Sequence, residues 1–190
     1  MPPKAKITRD MIIRAGVEIV RTEGADSLNV RHAAAMLSCS TQPVMYHFKT
    51  VKDLKTAVYE EADKFHTEYI MTPEPNAENP FLSIGLRYIK FAENEKYLFR
   101  FLFQSGSFQN VSFTELMTAD EIMPIIALMC EAANISESQA RIVFETTFIC
   151  VHGISSLIAN NSINYDKPYF EKMLSTAFNG AIAAVKGEKS

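Results

Sequence analysis

Residues 27–54 read S-L-N-V-R-H-A-A-A-M-L-S-C-S-T-Q-P-V-M-Y-H-F-K-T-V-K-D-L, and this stretch decides the fold of the N-terminal part of the chain. Asn29 is a good N-cap, because its side-chain oxygen can accept from the orphan amides of a first helical turn. Val30, Ala33, Ala34 and Leu37 then recur at helical spacing and give one apolar face. The run Ala33-Ala34-Ala35 favours helix and is small enough for a second helix to pack closely. Leu37-Ser38-Cys39 is the turn, and Ser40 is the next N-cap. Pro43 falls at the third helical position, where a missing amide costs no intrahelical bond. Val44 and Phe48, four apart, face the core, which leaves Thr41, Gln42, Met45, Tyr46 and His47 pointing outward. Two short helices joined by a tight turn form the pattern of a helix-turn-helix, whose second helix enters the DNA major groove.

The outward side chains suit that role. Glutamine can read an adenine edge with two bonds, threonine can bond a base or touch a thymine methyl, and Pro43 adds apolar contact. Tyr46, His47, Lys49 and Lys52 are placed to reach phosphates, which fix position without reading sequence. Asn29, Arg31 and Ser40 complete the expected DNA-binding set. The competing reading of the same residues is a solvated helix surface.

Residues 8–54 resemble the DNA-binding domain of the tetracycline-repressor (TetR) family of bacterial transcription regulators. Thr8, Arg9, Ile12, Ala15, Gly16, Ile19 and Gly24 stand where that pattern expects such residues. So do Ala34, Ser40, the His47-Phe48 pair and Leu54, and the Thr-Gln-Pro run is like that of several members. The chain departs from the pattern in three places. Ser38-Cys39 replaces the usual Gly-Val turn, Met45 stands where tyrosine is usual, and Val51 stands at the place of the phosphate-binding lysine. Tyr46 and Lys52 lie one residue along in the latter two cases. The resemblance implies an all-α protein with an N-terminal three-helix helix-turn-helix domain over residues 1–50. A helical ligand-binding and dimerisation bundle over 51–190 would follow. It also implies a ligand-responsive repressor that acts as a homodimer on a palindromic operator.

Composition agrees. The 190 residues carry a net charge of −3 and are 47% hydrophobic, as expected of an ordinary globular chain. The charge is unevenly distributed. Residues 1–55 hold nine Lys+Arg against five Asp+Glu, net +4, and the remainder holds ten against seventeen, net −7. A basic head on an acidic body is oriented toward a polyanion. Cys39, Cys130 and Cys150 are odd in number and too far apart for a metal-binding pair, so they read as reduced, partly buried residues of a cytoplasmic protein. No signal peptide is read at the N-terminus, and no apolar stretch is expected to reach the ~20 residues of a membrane span.

The rest of the chain reads as helix. Thr50 with Asp53 caps a helix from Val51 to about Ile70, whose apolar stripe is Leu54, Ala57, Val58, Ala62 and Phe65, with His66 and Glu68 as a charged surface pair. The Pro-rich run Thr72–Pro80 is a breaker. Helices follow at Phe81–Glu93 and Glu95–Gln104, then a loop over Ser105–Phe113. Thr118 with Glu121 can cap a helix to Ala133 that Pro124 would distort. Ser136 with Gln139 opens a helix through Ala159, closed by Asn160-Asn161. Asp166 caps the last helix, with Pro168 in its first turn, to about Lys186.

The last two helices are apolar on broad faces. A four-helix interface with a second copy is expected to use Ser155, Ile158, Phe170, Met173, Ala177 and Ala181. Following the resemblance, the aromatic-rich middle is the effector region, and Phe91, Phe103, Phe144, Phe148 and His152 are its candidate lining. An apolar or aromatic effector would suit them. There is no phosphate loop, G-x-S-x-G or H-E-x-x-H motif, so neither an enzyme nor a cofactor is expected. The rival to the regulator is a helical ligand-binding or protein-interaction module without DNA affinity.

Overall fold

The computed structural model describes residues 7–72, 79–106 and 122–187. Nine α-helices and one short 3₁₀ turn account for the regular structure of these residues, and none is in a strand. The protein is therefore all-α. Residues 107–113 of the loop expected over Ser105–Phe113 and the Thr118–Glu121 cap lie outside the described residues, as does most of the Pro-rich run.

Helix α1 (Arg9–Glu23) is capped by the Thr8 hydroxyl, which accepts from the Met11 amide at 3.2 Å. It ends at Gly24, whose φ of 89° and ψ of 168° place it in a region that only glycine enters without strain. Helix α2 (Val30–Met36) begins as its sequence requires, with the Asn29 side-chain oxygen accepting from the His32 amide at 2.9 Å. Its end is a Schellman motif: the Ser38 amide donates to Ala35 and the Cys39 amide to Ala34, each at 3.0 Å. That geometry forces Ser38 to φ 51°. Helix α3 (Thr41–His47) starts at Ser40, but the Ser40 side chain makes no capping bond. Pro43 occupies the expected third helical position.

Helix α4 (Val51–Met71) opens with both bonds of the Thr50–Asp53 capping box. Helix α5 (Pro80–Asn94) has a cap that its sequence did not advertise: the Asn79 side-chain oxygen accepts from the Phe81 and Leu82 amides. Helix α6 is Lys96–Phe103. Helix α7 (Met123–Ala133) starts late enough that Pro124 sits in its first turn, so the expected distortion does not arise. Helix α8 (Glu137–Ala159) carries the full Ser136–Gln139 capping box and ends in a second Schellman motif with Asn161 at φ 56°. Helix α9 (Lys167–Gly187) is opened by Asp166, which accepts from the Tyr169 amide at 3.1 Å.

Two compact units are present. The described residues of one are 7–72 and 91–106; those of the other are 79–90 and 122–187. The first unit therefore extends beyond residue 50 and takes in α4 and α6, because α1 packs on both as well as on α2 and α3. Its core is Ile12, Ile19, Val20, Leu28, Ala33, Val44, Leu54 and Val58, all essentially solvent-free. In the second unit, α8 and α9 pack along their length and α7 closes one end. Ile126, Met129, Ala140, Val143, Ala181 and Val185 form a cluster there.

Ser38 holds a left-handed conformation that costs an L-residue about 1–2 kcal/mol and costs glycine almost nothing. Ser38→Gly is expected to raise stability by about 1 kcal/mol, read as a higher urea midpoint at unchanged m-value. A lower midpoint would show that the Ser38 side chain has a compensating role.

Candidate nucleic-acid interface

Helix α3 has one fully buried side chain, Val44, and is followed at once by buried Phe48. These two anchors hold the helix from behind. Gln42, Met45, Tyr46 and Lys49 are exposed at i, i+3, i+4 and i+7, and Thr41 and Pro43 are half-buried at its start. Tyr46 is 74% exposed and Met45 54%. The Tyr46 ring meets His47 edge-on at 5.1 Å, and the Lys49 ammonium lies 5.8 Å from the Tyr46 centroid. Arg31, Ser40 and Lys52 are also exposed. Arg31, Lys49 and Lys52 form no ion pair with a carboxylate among the described residues. The interface thus offers hydrogen-bonding groups on a ridge with uncompensated positive charge around it.

Two of the expected DNA-binding residues are engaged inside the chain. Asn29 caps α2 with its oxygen and donates its amide to the Ser27 carbonyl at 3.1 Å. His47 bonds through Nε2 to the Ile7 carbonyl at 3.2 Å. The acceptor is a carbonyl, so Nε2 carries the proton, and the bond ties the end of α3 to the residue before the Thr8 cap of α1. Both residues position the exposed face of α3, and neither ring nor amide is spare for it in this bonding pattern. Sequence reasoning missed His32. Its Nδ1 is 3.1 Å from the Ser27 carbonyl and its Nε2 is 3.3 Å from the Glu23 carboxylate, so it braces the end of α1 against α2. No periodic signal marks such a contact; only a histidine three residues after an Asn cap hints at it.

The expected effector residues fall into two groups. Phe91 and Phe103 belong to the first unit, where both rings stand edge-on to His66 at 4.8 and 5.1 Å. His66 is 6% exposed, which corrects its reading as a surface partner of Glu68. Glu68 instead lies 3.9 Å from Lys64. Phe144, Phe148 and His152 belong to the second unit. They form a ladder along α8, with ring planes 20° and 25° apart at successive steps. His152 Nδ1 lies 3.0 Å from the hydroxyl of buried Tyr88. A cavity of about 40 Å³ in this unit is lined by Asn79, Phe81, Leu82, Gly85, Thr147, Leu174, Ser175, Phe178 and Asn179. None of the five expected residues lines it.

The expected dimer residues require a larger correction. Ser155, Ile158, Phe170 and Ala181 are buried within the chain at 0%, 1%, 3% and 8% exposure. The Ser155 hydroxyl donates to the Val151 carbonyl, so burial leaves it satisfied. Met173 and Ala177 are half-buried. The outer face of α8 instead carries Ile142, Ile149 and Leu157, at 48%, 58% and 48% exposure, with exposed Thr146 and Gly153 between them. Contrary to the sequence reading, this one helix among the described residues is long and apolar enough to cross a membrane by length and composition. All three cysteines are half-buried, and none is in a disulfide within the chain.

No protein-family model and no curated protein matches the chain.

Burial holds the His66 imidazole down at about 4, from an ordinary value of 6.5. Between those values the unfolded chain binds a proton that the folded chain refuses, so stability falls as pH drops from about 6.5 to 4. The full effect is about 3 kcal/mol. His152, lowered by the same cause, acts in the same direction. Urea titrations at several pH values should show a steeper acid loss in the parent than in His66→Leu. Parallel profiles would contradict the burial argument.

Proposed function

We propose that this chain is a sequence-specific DNA-binding transcription regulator of the tetracycline-repressor type. In this reading α2, the Ser38 turn and α3 form the helix-turn-helix, and α3 is the recognition helix. The observation that carries it is the outer face of α3. A helix of seven residues is too short to hold itself together in water. Val44 and Phe48 hold it from behind and leave Gln42, Met45, Tyr46 and Lys49 in solvent. A rigid ridge of this kind, flanked by Arg31, Lys49 and Lys52, suits a major groove lined by phosphates. Gln42 is assigned to an adenine edge. Thr41, Ser40 and Tyr46 are assigned to bases or backbone, and the cations to phosphates. Repression, and a cytoplasmic location beside the DNA, follow from the resemblance.

A single helix-turn-helix makes few base contacts and binds as a pair, with half-sites ~34–36 Å apart. The stripe of Ile142, Ile149 and Leu157 supports pairing. It is an apolar helix face that the chain's own packing leaves uncovered, and a second copy would cover it isologously. The Phe144–Phe148–His152 ladder, with a tyrosine hydroxyl at its polar end, supports a flat, largely apolar effector.

Fluorescence anisotropy with DNA from upstream of the protein's own gene tests the first part. Gln42→Ala should cost about 1–3 kcal/mol and relax base preference at one position of each half-site. Lys52→Ala should weaken all sequences alike and lower the salt slope by about 1. Unchanged affinity and preference in Gln42→Ala would remove α3 from the recognition role.

Light scattering tests the second part. Ile149→Glu should yield monomers with an unchanged helical circular dichroism spectrum, because Ile149 is 58% exposed in the single chain and a carboxylate there can reach solvent. The expected weakening of the dimer is about 3 kcal/mol, more than a hundredfold in its dissociation constant. A parent protein that is monomeric at micromolar concentration would refute the pairing.

A further inference from the structure

We infer that Met45 is a base-reading residue whose side chain packs on the 5-methyl group of a thymine, close to the base pair that Gln42 reads. The inference rests on the DNA reading above and assigns it a specificity determinant. Met45 follows fully buried Val44 on α3 and is itself 54% exposed. Its three neighbours on the outer ridge all carry polar or charged groups. Tyr46 and Lys49 are also tied into one cluster, the Tyr46 ring edge-on to His47 and beneath the Lys49 ammonium. Met45 enters none of these contacts. Its side chain is unbranched, adaptable and nearly without hydrogen-bonding capacity, so an apolar partner outside the chain is what its position calls for.

The major groove displays one apolar group on its base edges, the thymine methyl. Exposure of a methionine is not by itself distinctive, since Met71 at the end of α4 is 46% exposed. What sets Met45 apart is its register with Gln42. Side chains three apart on a helix lie about 5–6 Å from each other, and successive bases on one strand are about 3.4 Å apart. The thymine therefore falls within two base pairs of the adenine assigned to Gln42. Pro43 is half-buried at the start of the helix and is less able to reach the same step.

Duplexes enriched by the full-length protein from a random-sequence pool provide the probe. Each thymine is replaced in turn by deoxyuridine, which removes the methyl group and keeps every hydrogen-bonding group. With the parent chain, one such replacement in a half-site, within two base pairs of the Gln42-dependent position, should lower affinity about fourfold, the equivalent of one buried methyl group. Met45→Ala should bind the thymine and uracil duplexes alike, and Met45→Leu should keep the preference. Full retention of the preference in Met45→Ala, or a site at which no thymine methyl matters, overturns this inference and leaves the DNA reading standing. Enrichment of no duplex at all overturns both.

Discussion

A Cβ on residue 16 would collide with the Val58 side chain, and the first unit depends on the close approach that Gly16 therefore permits. With no side chain there, α1 and α4 meet at a distance that a larger residue would forbid. The buried stripe of α1 (Ile12, Ala15, Ile19 and Val20) then has α4 on one side and α2, α3 and α6 within reach. Arg21 reinforces this arrangement from the rim. Its Nε donates to Glu95 at 2.9 Å, and its guanidinium lies over the Phe65 ring at 4.9 Å. The short α3 adds only Val44 and Phe48 to the core, so its orientation is inherited from α2 and α1, on which it packs.

Polar groups around α2 and α3 divide their work along the same line. Asn29, His32, Ser27 and Glu23 bind one another and fix where α2 begins. His47 holds the end of α3 to Ile7. The side chains left outside these bonds include those of the exposed ridge on α3 and the cations around it. A rigid ridge loses less entropy on binding than a mobile one, so the internal network contributes to any contact the ridge makes without touching the partner.

The second unit has a different economy. Helices α8 and α9 are apolar on more than one face, and each buries one of them against the other and against α7. Hydroxyls inside α8 are satisfied along the helix, as with Thr146, Thr147 and Ser155, each donating to the carbonyl four residues earlier. Such bonds let a helix sit in apolar surroundings on any side. They also leave its sequence silent about which side that is. The exposed Ile142, Ile149 and Leu157 follow from this ambiguity, and so do a length and hydropathy that would suit a membrane.

What the sequence determined by itself is local. The Asn29, Thr50, Ser136 and Asp166 caps, Pro43 and Pro168 in their first turns, and the Asn160-Asn161 stop are side-chain-to-backbone bonds or steric limits within a few residues, so they appear in the chain order. The outward set on α3 was legible for the same reason: Val44 and Phe48 are four apart, and no second apolar face competes. Tertiary structure decided everything that required choosing between faces or partners. His66 is buried because Phe91 and Phe103 come to it from other helices. Ser155 and Ile158 turned inward while Ile149 and Leu157 stayed out, because α9 took one of two similar faces. Ser38 took a glycine's conformation because the turn bonds of α2 imposed it. Burial depends on which surfaces meet across long sequence separations, and periodicity describes a helix's faces without saying which of them is covered.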